Sequence, residues 1–404
     1  MNSADLPASL SLRQLQIFEM AVAAGSAGAA ARALGLSQPA VTHALARLEA
    51  LSGHVLLERG PGGTAPTPAG LILYRRVVRL RAQIAAAFAA ARGPNAHSPG
   101  ASGARDGGAM TAAQLRCHIA IAEHGAFGEA ARVLGISLPA LHRTARGLEL
   151  LAGVPLYRRQ LRRIGVTPAG AALARHLRVA ITELAQAREE IEAAAGQGGG
   201  RIVAGCLPLM PKKLLARVCN AALARHPGLR IALIEDSYDP LLRALRHGEV
   251  DLVIGALRQE AAADLTAVPL FDDPYVVVGR ALHPLAGKRA PAAGALRRRG
   301  WVAAPPGTPR RPALDRLFSG GPAARVVLET NSVMMMLAAL VQSDALTVTA
   351  RSLVGAGTAR LAVLRLAGSE TARRVGYTIR AGWLPTTAQA GFVACLEQLA
   401  AADP

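Results

Sequence analysis

Apolar residues in the first half of the chain fall at helical spacing. Leu15, Phe18 and Val22 form a stripe at i, i+3 and i+7, and Gly25 ends that helix. Ser26 can cap a second helix with Ala30, Ala31 and Leu34 facing inward, and small alanines there let two helices cross closely. After a Gly35 turn, Ser37 caps a third helix, with Pro39 in its first turn and Val41, Leu45 and Leu48 on its buried stripe. Residues 54–66, rich in Gly, Pro and Arg, suit a wing. Thr67-Pro68-Ala69-Gly70 then opens a longer helix over Ala69–Ala91, striped by Leu73, Val77, Leu80, Ile84 and Phe88.

The series is written twice. Residues 11–70 align with 111–170 without a gap. Ala30-Ala31-Arg32 matches Ala130-Ala131-Arg132, Leu48-Glu49 matches Leu148-Glu149, and Thr-Pro-Ala-Gly closes both copies. The second long helix, Ala169–Ala195, carries Leu173, Leu177, Ile181, Leu184 and Ile191. Short helix, glycine turn and capped helix with a polar N-terminal face make a helix-turn-helix, whose second helix offers its first turns to base edges in the major groove. A projecting long helix is marginal alone and requires a partner helix. Residues 93–109 between the copies read as a flexible linker with a root-mean-square span of about 23 Å. That length lets the two long helices pair within one chain.

Beyond Gly196–Gly200 the pattern becomes alternating strands and helices, predicting an α/β domain with parallel strands. Strands are expected at Arg201–Gly205, Leu229–Ile234 and Asp251–Ile254, with helices at Lys212–Arg225 and Pro240–Gly248. The run Tyr275–Gly279 is expected to cross to a second lobe. That lobe holds Trp301–Ala303, Val326–Leu328, a helix over Ser332–Gln342, Ala345–Val348 and Leu361–Leu364. Arg374–Ile379 crosses back and Ala388–Ala400 closes the domain. The expected boundaries are 1–92 for the first copy, 110–195 for the second and 200–404 for the two-lobed domain, with lobe 1 at about 200–275 and 376–404 and lobe 2 at about 276–375.

Composition narrows the function. The 404 residues carry a net charge of +19, and all but three of the 46 basic residues are arginine. The excess is spread over both halves and fits a GC-rich coding bias as well as a nucleic-acid partner, so local placement must decide. The longest apolar runs, Ile84–Ala91 and Val333–Val341, are too short to span a bilayer, and the N-terminus has no signal-peptide pattern, so a soluble cytoplasmic protein is expected. Cys117, Cys206, Cys219 and Cys395 are far apart and read as small buried hydrophobes, without metal or disulfide roles. The chain carries no Gly-x-Ser-x-Gly, His-Glu-x-x-His or phosphate-loop motif, which argues against an enzyme.

The residues resemble the LysR-type transcriptional regulators. Ala30-Ala31, Leu34, Ser37-Gln38-Pro39-Ala40-Val41-Thr42, Leu48-Glu49, Gly53, Leu56, Arg59 and Thr67–Gly70 carry the DNA-binding signature, repeated from Ser137 to Arg159. His226-Pro227, Asp251-Leu252, Tyr275–Val278, His283–Ala286 and Glu329–Ser332 carry the effector-domain likeness. The resemblance implies two winged helix-turn-helix domains followed by a two-lobed, periplasmic-binding-protein-like α/β effector domain. The family ordinarily has one DNA-binding unit, so the duplication is a departure.

Contacts to double-stranded promoter DNA are expected from Ser37, Gln38, Pro39, Ala40, Thr42, His43 and Arg47 in the first copy. In the second they are expected from Ser137, Pro139, His142, Arg143 and the wing residues Arg158, Arg159, Arg162 and Arg163. Gln pairs bidentately with adenine and Arg with guanine, and the arginine cluster suits phosphate. The competing reading makes Gln38 and Thr42 solvated polar residues and takes Leu138 as a lost reading face, leaving a sensor that modulates other regulators without reading DNA. An unidentified small-molecule effector is expected between the lobes, against Cys206, Leu207, Pro208, Leu209, Ala256, Leu257, Asn331, Ser332 and Val333. Helix N-termini at Pro208–Pro211 and Asn331–Val333 favour an anion, whereas the apolar Leu207–Leu209 stretch favours an apolar or aromatic effector, or none. No cofactor is expected, His118 reads as a satisfied helix residue, and a homo-oligomer, dimer or tetramer, is the expected assembly.

Overall fold

The computed structural model describes residues 11–60, 63–93, 108–160, 163–258, 262–287, 291, 293–308, 310–355, 360–364 and 373–402. The chain divides into two compact units, Met1–Gly200 with Arg246–Glu249 and Arg201–Leu245 with Val250–Pro404. The first unit holds the two sequence repeats. Copy 1 runs α1 (Leu12–Ala23), α2 (Ala27–Leu34), α3 (Gln38–Ser52), the hairpin β1 (Leu57–Gly60) and β2 (Gly63–Pro66), and α4 (Pro68–Arg92). Copy 2 repeats it as α5 (Ala112–His124), α6 (Phe127–Leu134), α7 (Leu138–Ala152), β3 (Tyr157–Gln160), β4 (Arg163–Val166) and α8 (Pro168–Ala194). Most of the linker expected over 93–109 lies outside the described residues.

The residues shared by the copies have structural work to do. Gly35 and Gly135 take φ of +63° and +65° at the C-caps of α2 and α6, the left-handed turn that ends each helix. Glu49 reaches past the end of α3, and its carboxylate accepts the backbone N–H groups of Leu56 and Leu57 at 2.8 and 3.1 Å. Glu149 does the same for Leu156 and Tyr157, so the third helix of each copy is tied to its own wing. Thr67 caps α4 and also donates its hydroxyl to the Val55 carbonyl at 2.8 Å. A Cβ on Gly70 would lie 1.9 Å from the Leu56 carbonyl oxygen, and one on Gly170 2.3 Å from that of Leu156, so only glycine admits this close approach.

The second unit is built on a five-stranded sheet of order β6-β5-β7-β14-β8. These strands are β5 (Arg201–Cys206), β6 (Arg230–Glu235), β7 (Leu252–Ala256), β8 (Leu265–Asp272) and β14 (Arg374–Arg380). The first three are parallel, and β14 runs antiparallel between β7 and β8. Helices α9 (Lys212–Arg225) and α15 (Thr387–Ala402) cover one face through Leu214, Val218, Phe392 and Leu396. On the other face α10 (Tyr238–Arg246) packs Leu241 and Leu245 on Val203 and Val253. The second lobe has β9 (Tyr275–Arg280), α11 (Ala293–Arg297), β10 (Trp301–Ala303), α12 (Arg311–Leu317), β11 (Val326–Glu329), α13 (Val333–Val341), β12 (Thr347–Ala350), α14 (Ser352–Gly355) and β13 (Leu361–Val363). Its β12-β9-β13 sheet is antiparallel, and the parallel pair β10-β11 joins it through the Trp301–Leu346 bridge.

Three expectations need correction here. Tyr275–Gly279 is not a crossing strand: β9 lies wholly in the second lobe, as the centre of its sheet. Arg374–Ile379 does not cross either, because β14 pairs along its whole length inside the first lobe. The chain passes between lobes at residues 273–274 and returns at Arg373, where the Asp273 N–H donates to the Arg373 carbonyl at 2.8 Å. Finally, β8 does not figure in the expected strands.

Candidate nucleic-acid interface and effector site

Helix α3 is amphipathic about its capped N-terminus. The Ser37 hydroxyl accepts the Ala40 N–H at 3.4 Å, and Val41, Leu45 and Leu48 are buried. Gln38, Pro39, Ala40, His43 and Arg47 are exposed, and Thr42 is half-buried. Helix α7 repeats this with Ser137 capping Ala140 at 3.3 Å and Leu141, Ala145 and Leu148 buried. Pro139, His142 and Arg143 are exposed beside Leu138, an apolar residue 44% exposed where copy 1 presents an amide. Arg146, also exposed and one turn beyond His142, joins this face; its place opposite the Leu141–Leu148 stripe was the available signal. In the wing Arg158 is exposed on β3, Arg159 follows it, and Arg163 opens β4 opposite Gln160. Arg162 lies outside the described residues.

The second copy supports its third helix differently. Where copy 1 has Phe18 and Leu57, copy 2 has His118 and Tyr157. His118 is fully buried, with Nε2 2.9 Å from the Gly170 carbonyl and Nδ1 2.8 Å from the Tyr157 hydroxyl. A carbonyl only accepts, so Nε2 carries a proton, and with the ring kept neutral by its burial the Tyr157 hydroxyl donates to Nδ1. Burial pulls its pKa down to about 4. Phe127 touches Tyr157 edge-on and stacks on His142 with centroids 4.6 Å apart, which fixes the imidazole plane on the reading face.

The long helices α4 and α8 pack against each other along their length within one chain. Arg76 is buried in that seam. Its Nη1 donates to Glu183 at 2.9 Å and to Gln186 at 2.7 Å, and its Nε and Nη2 donate to Glu190 at 3.0 and 2.8 Å. Arg79 takes the other Glu183 oxygen at 2.9 Å. Leu73, Val77, Leu80, Ile84 and Phe88 join Leu173, Leu177, Ile181 and Ile191 in one core.

In the second unit the two crossings between lobes are stapled together. Arg373 Nη1 donates to Asp273 at 2.6 Å with both side chains buried, and Nη2 donates to the Leu209 carbonyl at 3.2 Å. Asp273 also accepts the Ser352 N–H and hydroxyl at 3.0 and 2.6 Å. Leu209, from the loop after β5, packs into the second lobe's core near Tyr275. Arg310, 7% exposed, contacts the Met336 sulfur and the Thr330 carbonyl, and no carboxylate pairs with it among the described residues. Burial lowers its pKa and Tyr275 lies nearby. Neither Arg310 nor Arg373 is among the expected effector residues, although the Arg373–Arg380 stretch carries part of the family likeness, because their settings come from distant strands.

The expected effector residues do not all meet there. Cys206 points into the first lobe's core with Ile202 and Ala204, and burial pushes its thiol up to about 12, so it is a packing residue. Leu207 lies on Gly255 in the opposite core layer, also as packing. Pro208, Leu209, Ala256, Leu257 and Val333 are half-buried, and Asn331 and Ser332 are exposed, with Ser332 capping α13. Met336 is buried while Met334 and Met335 are exposed, so none of the three forms a special surface inside a site. Glu235 ends β6 and Asp239 lies in the first turn of α10, paired with Lys212 and Arg258 respectively. The described residues contain no metal-binding cluster, and none of their helices is long and apolar enough to cross a membrane.

Residues 195–401 match the LysR substrate binding domain, and residues 12–71 and 112–171 each match the bacterial regulatory helix-turn-helix protein, lysR family. The HTH-type transcriptional regulator GalR of Pseudomonas putida is 31% identical over 398 residues, covering 96% of this chain and 97% of that one. The chain belongs to the LysR family. A probable hydrogen peroxide-inducible genes activator of Mycobacterium xenopi is 38% identical over 182 residues, covering 44% of this chain and 94% of that one. A full-length OxyR variant of Pseudomonas aeruginosa shares the fold with a TM-score of 0.51 at 21% identity, over 71% of this chain and 93% of that one. As a LysR-type protein the chain is a DNA-binding transcriptional regulator that responds to an effector through its C-terminal domain, in a family that is not enzymatic. The helix-turn-helix domain occurs twice in the chain.

Proposed function

We propose that this regulator reads promoter DNA with α3 through Gln38, Thr42, His43 and Arg47, with the Ser37-Pro39-Ala40 turn against the backbone. The second unit reads with α7 through His142, Arg143 and the Ser137-Pro139 turn, while Arg158, Arg159, Arg162 and Arg163 hold phosphate. The observation that carries this is the pair of capped, exposed helix N-termini, each locked to its wing by the same glutamate. Footprinting upstream of its own gene with a salt titration tests it. A protected, competitor-resistant site is expected; Gln38→Ala should relax base preference, and Arg158→Ala should weaken binding uniformly and reduce the salt slope by about 1. Diffuse, strongly salt-sensitive binding alone would favour the second reading, a sensor that modulates other regulators, for which the exposed Leu138 is the supporting feature.

The effector is a small anion with an apolar body, seated between the lobes near Leu209, Asn331 and Ser332. Arg310 supports this, as a buried cation with no carboxylate partner among the described residues. A thermal-shift screen of small aliphatic and aromatic carboxylates should give hits that Arg310→Met abolishes. The protein works in the cytoplasm as a homo-oligomer; the edge strand β6, which exposes Leu233 and Ile234, supports association of the second unit.

A further inference from the structure

The seam between α4 and α8 is directional. Across the repeat, Arg76 corresponds to His176, Glu183 to Gln83, Gln186 to Ala86 and Glu190 to Ala90. In a pair of two α4 helices, the guanidinium of Arg76 would face Gln83, Ala86 and Ala90 and lose both carboxylates that hold it here. In a pair of two α8 helices, Glu183 and Glu190 would lose Arg76, and Glu183 would also find Val179 where Arg79 now stands. A buried charge without its partner is costly, so each like-with-like pairing is disfavoured and the unlike pairing within the chain is selected.

The two surfaces that this pairing carries are themselves unlike. Copy 1 presents Gln38, Thr42, His43 and Arg47, whereas the corresponding positions of copy 2 are Leu138, His142, Arg143 and Gly147. The His142 ring is held flat on Phe127, a support that copy 1 lacks because it has Ala27 there. The wings differ in charge too: Glu58 precedes Arg59 in copy 1, where Arg158 precedes Arg159 in copy 2.

We propose that one chain is a built-in heterodimer that reads a non-palindromic operator, with an adenine-type contact from copy 1 in one half-site and a guanine-type contact from copy 2 in the other. This rests on the DNA-reading function above. A symmetric protein dimer mirrors itself in a palindromic operator, because equal reading helices meet equal half-sites. Here the two reading helices are joined by a seam that equal partners cannot form, so their half-sites have no reason to match. The half-sites lie on one face of the duplex, a helical turn or a multiple of it apart. Association through the second unit brings further copies of the same unlike pair, so the two half-sites under any one chain still differ, even where a second chain repeats them in mirror image.

The test is selection of duplexes from a random-sequence library by the full-length chain, repeated with Gln38→Ala and Arg143→Ala. Both substitutions are at exposed helix positions and leave the cores intact. The expected consensus has two dissimilar half-sites; Gln38→Ala flattens base preference about tenfold or more in one half only, and Arg143→Ala does so in the other. A consensus in which the two half-sites under one chain match, and each substitution changes both alike, overturns the proposal. So does a site whose second half shows no base preference and ignores Arg143→Ala. Failure to enrich any sequence overturns instead the DNA-reading function beneath it.

Discussion

Replacing Arg76 with alanine tests whether the polar seam holds the two DNA-binding copies together. The side chain is 1% exposed and donates to three acceptors on α8. Breaking a buried ion pair by removing one partner costs about 3–5 kcal/mol, because the other charge stays buried. The low end applies here. Glu183, 5% exposed, keeps Arg79, and Glu190, 19% exposed, can turn to water. A loss of about 3 kcal/mol in a unit of this size corresponds to a fall in Tm of roughly 6–12 °C. The assay has a built-in control: both tryptophans, Trp301 and Trp383, lie in the second unit. Heating the full chain while recording far-UV circular dichroism and tryptophan fluorescence therefore separates the units. The helix signal should melt earlier in Arg76→Ala, with the tryptophan transition unmoved. Arg76→Met combined with Glu183→Leu and Glu190→Leu should recover most of the loss, since a well-packed apolar group of similar volume replaces a buried ion pair at little cost. A change below about 1 kcal/mol, or an equal shift of both transitions, would refute the reasoning.

Acid should weaken the first unit through His118. The fold holds its imidazole neutral, with the pKa at about 4 against 6.5 for the free group, so between those values the unfolded chain binds the extra proton. Stability is fully present above 6.5 and declines as pH falls toward 4, by up to about 3 kcal/mol; pairing His118→Phe with Tyr157→Leu, the residues of copy 1, should flatten this part of the pH–Tm curve. Gly70→Ala drives a methyl into the Leu56 carbonyl, so the wing must shift; a loss of about 1–3 kcal/mol in the helix transition and weakened operator binding are expected. Asp273→Asn removes the buried charge that holds Arg373 and ties the lobe crossings to Ser352. It should lower the tryptophan transition by about 3 kcal/mol or more while the first unit's melting stays put.

Local pattern was enough for nearly every element of the first unit, because each helix carries its own buried stripe and most carry a side-chain cap. It failed where pairing between distant strands decides. Strand β8 contains Pro269, which demotes a segment in a sequence-only reading, yet it is tolerated because β8 lies at the sheet edge and meets β14 at a register shift beside Gly376. The continuous run Tyr275–Val278 is apolar for a different reason than crossing: β9 is central in its sheet and buried on both faces. Period-two alternation also explains the effector-site corrections. Cys206 continues the Ile202–Ala204 face into one core, and Leu207, next in sequence, turns into the other. Arg310 and Arg373 owe their chemical environment to residues brought together only by the folded second unit, so no local window reveals them.

The duplication makes the chain its own comparison. Positions that build each unit have stayed equal: Leu48 and Leu148, Glu49 and Glu149, Gly70 and Gly170 are buried or bonded alike in both copies. The divergent positions change in sets that touch one another. Phe18 with Leu57 becomes His118 with Tyr157, now hydrogen-bonded, and Ala27 with Thr42 becomes Phe127 with His142, now stacked. Paired change of this kind preserves packing while altering the reading face. In a homodimer every substitution would appear in both halves at once, so a buried arginine facing carboxylates could arise only together with its mirror image. Tandem copies remove that constraint, and Arg76 facing Glu183 and Glu190 uses the freedom: a one-way pairing code for the helices, linked in one chain to two helix-turn-helix faces that no longer match.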